Sequence, residues 1–274
     1  MSPDLLFWFE LALKMAMTAT IVVAASVAVE HTGSFLGALI ATLPTAAGAA
    51  YIVLAIEHPP AFVAASALGT VAANAAVAIF AFTYALLAQR HGVLISITTA
   101  ALVWFCTAAL LRLVQWTPVS ALALNAVVLA ITIAASARFR RDAVSKKAIK
   151  RTRYDLPLRA LAAAVVVAVV TTASHRIGSF ASGTLAVFPI VIGTFVVILH
   201  ARVGGKAAAA VLAHALPPLI GLALGFLGVH YLAERIGVWW SFAVGLAITL
   251  SWSVMLWLMR HVALTFRLKA SVRR

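Results

Sequence analysis

Residues 178–193 read GSFASGTLAVFPIVIG and residues 33–48 read GSFLGALIATLPTAAG, with the opening Gly-Ser-Phe, the proline and the closing glycine in the same register. The shift of 145 residues that aligns them also places Arg90, Gly92, Val93 and Ser96 on Arg235, Gly237, Val238 and Ser241. Glu10 and Lys14 fall on Asp155 and Arg159 by the same shift. Apolar composition alone would produce chance matches of Ala, Leu and Val. A gap-free register of glycine, proline and charge marks an internal duplication.

The surroundings of the duplicated stretch state its solvent. The chain has 274 residues, of which 64% are hydrophobic and 10% charged, against roughly a quarter charged in a soluble domain. So few charges cannot cover a water-facing surface, and segments such as 160–173 are apolar all round rather than along one stripe. The fold class is therefore an all-α integral membrane protein. The net charge of +14 would suggest nucleic acid in a soluble protein. Here the basic residues gather mainly in two clusters that flank apolar stretches, at 138–153 and 260–274, as retention of positive charge on the cytoplasmic side produces. Cys106 is the only cysteine, which removes any intramolecular disulfide or CxxC site. The start of the chain, with Asp4 and Glu10 ahead of Lys14, lacks the basic lead of a secretory signal.

A spanning helix needs about 20 apolar residues. Cutting at polar and helix-breaking interruptions predicts about nine helices, at 5–29, 34–56, 61–88, 93–114, 119–137, 156–174, 179–200, 206–233 and 237–259. These divide into a first repeat at 1–137 with five crossings, a basic linker at 138–154, a second repeat at 155–259 with four, and a basic tail at 260–274. Alternate crossings with the linker inside leave only Lys14, Arg112, Arg176 and Arg235 among the 21 basic residues on the outside. That asymmetry selects the N-terminus outside and the C-terminus in the cytoplasm of a bacterial-type inner membrane, and puts Trp8, Trp116, Trp239 and Trp240 at the outer interface.

An odd number of crossings in the first unit makes the second unit enter the membrane from the opposite side, so the repeats are inverted. Two units with one fold and two conformations can exchange them, which converts an outward-open molecule into an inward-open one. In architecture alone this plan resembles the inverted-repeat secondary transporters, among them the bile-acid symporter class with its five-helix units.

Pro44 and Pro189 each lie about ten residues into their helices, near the midplane at 1.5 Å per residue. A proline withholds one amide and frees the carbonyl four residues earlier, so helices 2 and 7 are expected to be broken. Freed groups in lipid must be satisfied by protein, water or ligand, and a matched pair of breaks points to a binding site. The candidate solute contacts around them are Thr42, Pro44, Thr45, Gly48 and Tyr51 in the first unit and Ser182, Thr184, Pro189, Gly193 and Thr194 in the second. Asn74, an amide deep in helix 3, is added to them. The plainer alternatives are a packing kink for the prolines, back-bonding to the helix for Ser and Thr, and interhelical bonding for Asn74. His214, roughly 12 Å from the inner end of helix 8 and followed by Pro217 and Pro218, is the candidate for proton coupling. Its alternative is a neutral imidazole bonded to a backbone carbonyl.

The spacing shows no phosphate loop, HExxH pair, GxSxG elbow, paired intramembrane carboxylates or metal-ligand set. An enzyme is not expected, and no cofactor is implied. The reading is a secondary active transporter of a small neutral or anionic organic solute, proton-coupled through His214, with membrane lipid and the solute as its partners. A homo-oligomer is compatible with it, and nucleic acid is not expected. The rivals are a non-catalytic membrane subunit or passive channel, and a lipid-modifying enzyme that lacks its catalytic groups. The topology has a direct check. With Cys106 replaced, a cysteine at Pro59 should react with an impermeant thiol reagent on intact cells and one at Ser145 should not; the reverse pattern inverts the orientation.

Overall fold

The computed structural model describes residues 8–10, 12–20, 23–24, 45–141 and 155–272. Among them every regular element is helical. Seven helices are long and apolar enough to cross a membrane: Pro60–Leu87, Val93–Leu111, Pro118–Arg140, Ala160–Ile177, Ser179–Val203, Pro218–Ile236 and Val238–Met259, with a shorter apolar helix at Ala46–Glu57. This is a helical membrane protein.

In chain order the helices from Thr45 onward are α1 (Thr45–Glu57), α2 (Pro60–Leu87), α3 (Val93–Leu111), α4 (Pro118–Ala135), α5 (Asp155–Ile177), α6 (Ser179–Ala186), α7 (Ile190–Val203), α8 (Gly205–Ala215), α9 (Pro218–Ile236) and α10 (Val238–Val272). A 3-10 turn, Ser136–Arg141, follows α4. The starts of α1, α2 and α3 recur at α7, α8 and α10 with the constant offset of 145 residues. Their chemistry explains the starts. Pro59, with φ −67° and ψ 160°, leads into Pro60 at the first position of α2, where the missing amide would have no helical partner. Thr117 caps α4 by accepting from Ser120 N, and the Ser120 hydroxyl is held by the Thr117 amide in return. Gly204, at φ 110°, turns the chain from α7 into α8 through a conformation that a side chain would strain.

Packing is centred on α2. Of its most apolar window 78% is buried, against 17% for α3 and for α10. The buried positions of α2 are mostly Ala, with Gly69, Ser66 and Thr70, and this small-residue surface lets neighbouring backbones come into contact. A Cβ placed on Gly183 would overlap the Ser66 carbonyl, and one on Gly69 would overlap the Phe180 carbonyl. The α2–α6 crossing is therefore a backbone contact, the form that helix association takes where lipid offers no hydrophobic drive. The Gly221 and Gly225 spacing works the same way on α9, against Trp252 and Gly245 of α10. On the outer elements, Leu94, Leu102, Phe105 and Leu110 of α3 and Trp239, Trp240 and Leu258 of α10 are exposed, an apolar rim suited to acyl chains.

The expected helix 7 is interrupted, as the proline predicts: α6 ends at Ala186 and α7 begins at Ile190, with Pro189 as its cap. The expected helix 8 is divided as well, into α8 and α9. Leu216 and Pro217 keep right-handed helical dihedrals there, and Leu219 N bonds to Leu216 O at 3.0 Å. The last helix runs on to Val272, beyond the expected end at 259. Thr42, Pro44 and Gly33 to Phe35 lie outside the described residues, as do positions 142–154 of the linker.

Gly183 offers a test of the packing. Gly183→Ala should lower the apparent melting temperature of the detergent-purified protein, corresponding to about 1–3 kcal/mol for overpacking. Gly48→Ala, where an added Cβ meets nothing within 4 Å among the described residues, should not lower it. Equal melting of the two variants would refute the close contact.

Candidate functional site

Polar side chains buried at mid-helix must find partners or carry a cost of about 1–3 kcal/mol each. Two such groups of partners centre on Thr70 and Asn74 of α2. In the first, Tyr51 of α1 meets Thr70 of α2, OH to Oγ1 at 2.7 Å, and Thr70 Oγ1 donates to the Gly183 carbonyl of α6 at 2.7 Å. The single Thr70 hydroxyl proton is committed to Gly183, so the Tyr51 hydroxyl must donate. The relay ties three helices together.

In the second, one turn further along α2, Asn74 Nδ2 donates to Asn125 Oδ1 of α4 at 2.7 Å and to the Leu219 carbonyl of α9 at 3.0 Å. Asn125 Nδ2 returns to α2 through the Val71 carbonyl at 2.7 Å and bonds its own Ala121 carbonyl at 2.9 Å. The Leu219 carbonyl is accessible to Asn74 where the chain has just passed the Pro217–Pro218 break. Two buried oxygens of α2 have no partner among the described residues: Asn74 Oδ1 and Ser66 Oγ. Buried acceptors left in this way are rare and call for an explanation.

The break before α7 lies beside the first group. Leu185 O, freed by Pro189, is taken locally by Phe188 N at 3.0 Å, and Ile190 N folds back to Phe188 O at 2.7 Å. The carbonyl is thus self-capped, and the amides that start α7 form the positive end of its dipole. Gly193, one turn in, faces Ile97 and Phe80, whose nearest atoms lie 3.7 Å from where its Cβ would stand.

Of the residues proposed from the sequence, Tyr51 and Asn74 are buried and interhelical. Ser182, Thr184 and Thr194 bond to carbonyls of their own helices, Gly178 O, Phe180 O and Val191 O, which is the back-bonding alternative. Gly48 lies half-buried on α1, Thr45 is its first residue, and Thr42 and Pro44 lie outside the described residues. His214 sits on the exposed face of α8, opposite buried Ala209, Leu212 and Ala213. Sequence reading missed Thr70, Ser66 and Asn125. Asn125 was detectable, as an amide within an apolar helix; Thr70 carries no such signal in so Thr- and Ala-rich a chain.

A third polar cluster occupies the end of the bundle where α1 gives way to α2. Lys14 Nζ bonds Glu57 Oε1 and lies 3.8 Å from Glu10. His58 Nε2 pairs with Ser174 Oγ of α5 at 2.9 Å and its ring stacks on Phe62 at 3.8 Å. The His175 ring lies 4.5 Å from that of His58. Burial holds the His58 imidazole below its ordinary range, neighbouring His175 pushes it the same way, and Glu57 opposes them. Glu57, the last residue of α1, is thereby joined to Lys14 and set near His175 of α5.

No protein-family model, curated protein or solved structure matches the chain.

The relay predicts an order of effects. Thr70→Val strands both the Tyr51 hydroxyl and the Gly183 carbonyl and should destabilise by about 1–3 kcal/mol. Tyr51→Phe leaves the Thr70 bond to Gly183 intact and should cost only about 0.5–1.5 kcal/mol. Thermal unfolding in detergent measures both, and the reverse order would break the donor assignment.

Proposed function

We propose that the chain is a secondary transporter built from two inverted repeats, moving a small neutral or anionic organic solute by alternating access. The observation that carries this reading is the hydrogen bond from Asn74 to Leu219, two residues separated by the 145-residue repeat offset. Equivalent positions of two units meet only close to the axis that relates them. The same two helices touch again where His230 Nδ1 lies 2.8 Å from the Ala64 carbonyl. Passing from Ala64 to Asn74 on α2 corresponds to passing back from His230 to Leu219 on α9, so the helices run antiparallel about the Asn74 crossing. An axis through that crossing inverts one unit onto the other, which is the symmetry alternating access needs.

Three further features support it. The recurring helix starts follow the repeat offset. Alternate crossings require 57–60 to share a face with 174–178, and 88–92 to share the other with 203–206. His58 does meet Ser174, and the Ala88 carbonyl does abut Gly205. The unpartnered Asn74 Oδ1 and Ser66 Oγ lie on α2, which packs on α6, and the start of α7 offers amide donors to a solute carbonyl, hydroxyl or carboxylate. The full plan comprises nine helices in five and four, with the N-terminus outside and the C-terminus in the cytoplasm. Proton coupling is assigned to His214.

Counterflow in proteoliposomes tests the proposal, after a metabolite screen by thermal shift has supplied a stabilising solute. Uptake should saturate and should be accelerated by solute loaded inside. Pro189→Ala, which restores an amide to the helix, should lower solute affinity about tenfold or more while the protein still folds. His214→Ala should lose uptake driven by an imposed pH gradient and retain exchange. Linear, unsaturable flux would show a pore instead and overturn the carrier reading.

A further inference from the structure

The cluster at the α1–α2 turn contains a set of metal-ligand types that the spacing in the sequence conceals. Glu57, His58 and His175 each present one ligand atom, and these atoms lie within 4.8 Å of one another. A tetrahedral ion with ligands at about 2.0–2.1 Å separates them by roughly 3.3 Å. Rotation of the exposed His175 side chain and a small shift of its neighbours spans the difference.

A second observation points to a ligand independently of this grouping. Glu57 Oε2 is buried and has no hydrogen-bond partner among the described residues. His175 Nε2 is the nearest cation-capable atom at 4.0 Å, beyond hydrogen-bond reach. The other oxygen, Oε1, is held by Lys14. The carboxylate is therefore anchored through one oxygen and presents the other toward the two imidazoles. His58 is likewise oriented, by Ser174 and by its stack on Phe62. Outer partners that fix the ligands are what a metal site requires.

We infer that Glu57, His58 and His175 bind a divalent transition metal of the Zn2+ type, with water completing the coordination. Two imidazoles with one carboxylate suit zinc and its neighbours, whereas Ca2+ and Mg2+ prefer oxygen sets. Lys14 opposes a cation at this place, and the carboxylates of Glu57 and Glu10 outweigh it in charge. The side chain of His175 is 64% exposed, so an ion can reach the cluster from the water. Glu57 ends α1 and His58 follows it in the first repeat, and His175 lies in the last turn of α5 in the second, so a bound ion would clamp the two units at one face of the membrane.

Titration calorimetry of the detergent-purified full chain with ZnCl2 at neutral pH tests the site. The wild type should bind one Zn2+, and His175→Ala, which removes an exposed side chain and should fold normally, should weaken binding at least tenfold. Glu57→Gln should do the same. His91→Ala, at the opposite end of α2, should leave the affinity unchanged. Absence of binding by the wild type, wild-type affinity in His175→Ala, or an equal loss in His91→Ala would each overturn the inference. The titration involves no solute movement, so its outcome is separate from that of counterflow.

Discussion

The rest of the structure depends on the backbone contact between α2 and α6, where the Ser66 carbonyl occupies the space that a side chain at Gly183 would need. Lipid is as apolar as leucine and gives helices no reason to associate through bulk hydrophobicity. What it cannot do is hydrogen-bond, so polar groups are satisfied by the protein or not at all. Small residues answer the first condition by bringing backbones close enough for dispersion contacts along their length. They answer the second too, because the same closeness puts the Gly183 carbonyl 2.7 Å from the Thr70 hydroxyl.

The central helix thereby becomes the junction of the molecule. Through Thr70 it bonds α6 and α1, and through Asn74 it bonds α4 and α9. The two proline-bounded interruptions that border it are treated differently. At Pro189 the freed Leu185 carbonyl is capped by the turn itself, whereas past Pro217 the Leu219 carbonyl is bonded by a side chain from another helix. The first is non-helical backbone held within protein, where a bilayer tolerates it, whereas the second keeps helical dihedrals through Leu216 and Pro217. The helix they border carries two buried oxygens, Asn74 Oδ1 and Ser66 Oγ, with no partner among the described residues.

The sequence alone made the solvent and the helical class legible. Few charges and long apolar runs leave no alternative to lipid, and glycine, proline and charge kept their register over the two halves because backbone geometry at starts and breaks tolerates few substitutes. The break at Pro189 followed from the missing amide. The helix starts at Pro60, Val93, Gly205 and Val238 followed from Pro and Gly in the same way. What could not be read were contacts between elements. An Asn in an apolar helix announces that it has a partner, but the identity of Asn125 and Leu219 depends on which helix faces which.

Tertiary structure alone decided three things. It showed that Thr70, indistinguishable in sequence from Thr184 or Thr194, bonds across helices while those two bond back to their own. It placed His214 on the exposed side of α8 rather than among the buried groups, since the opposite face carries the alanines that pack. It also joined Glu57 and His58 to His175, more than a hundred residues away, at one end of the bundle. The physical reason is common to all three: periodicity and composition report a residue's distance from water along its own helix, whereas the direction of a side chain toward a neighbour depends on helix rotation and crossing, which are fixed only when the small-residue surfaces meet.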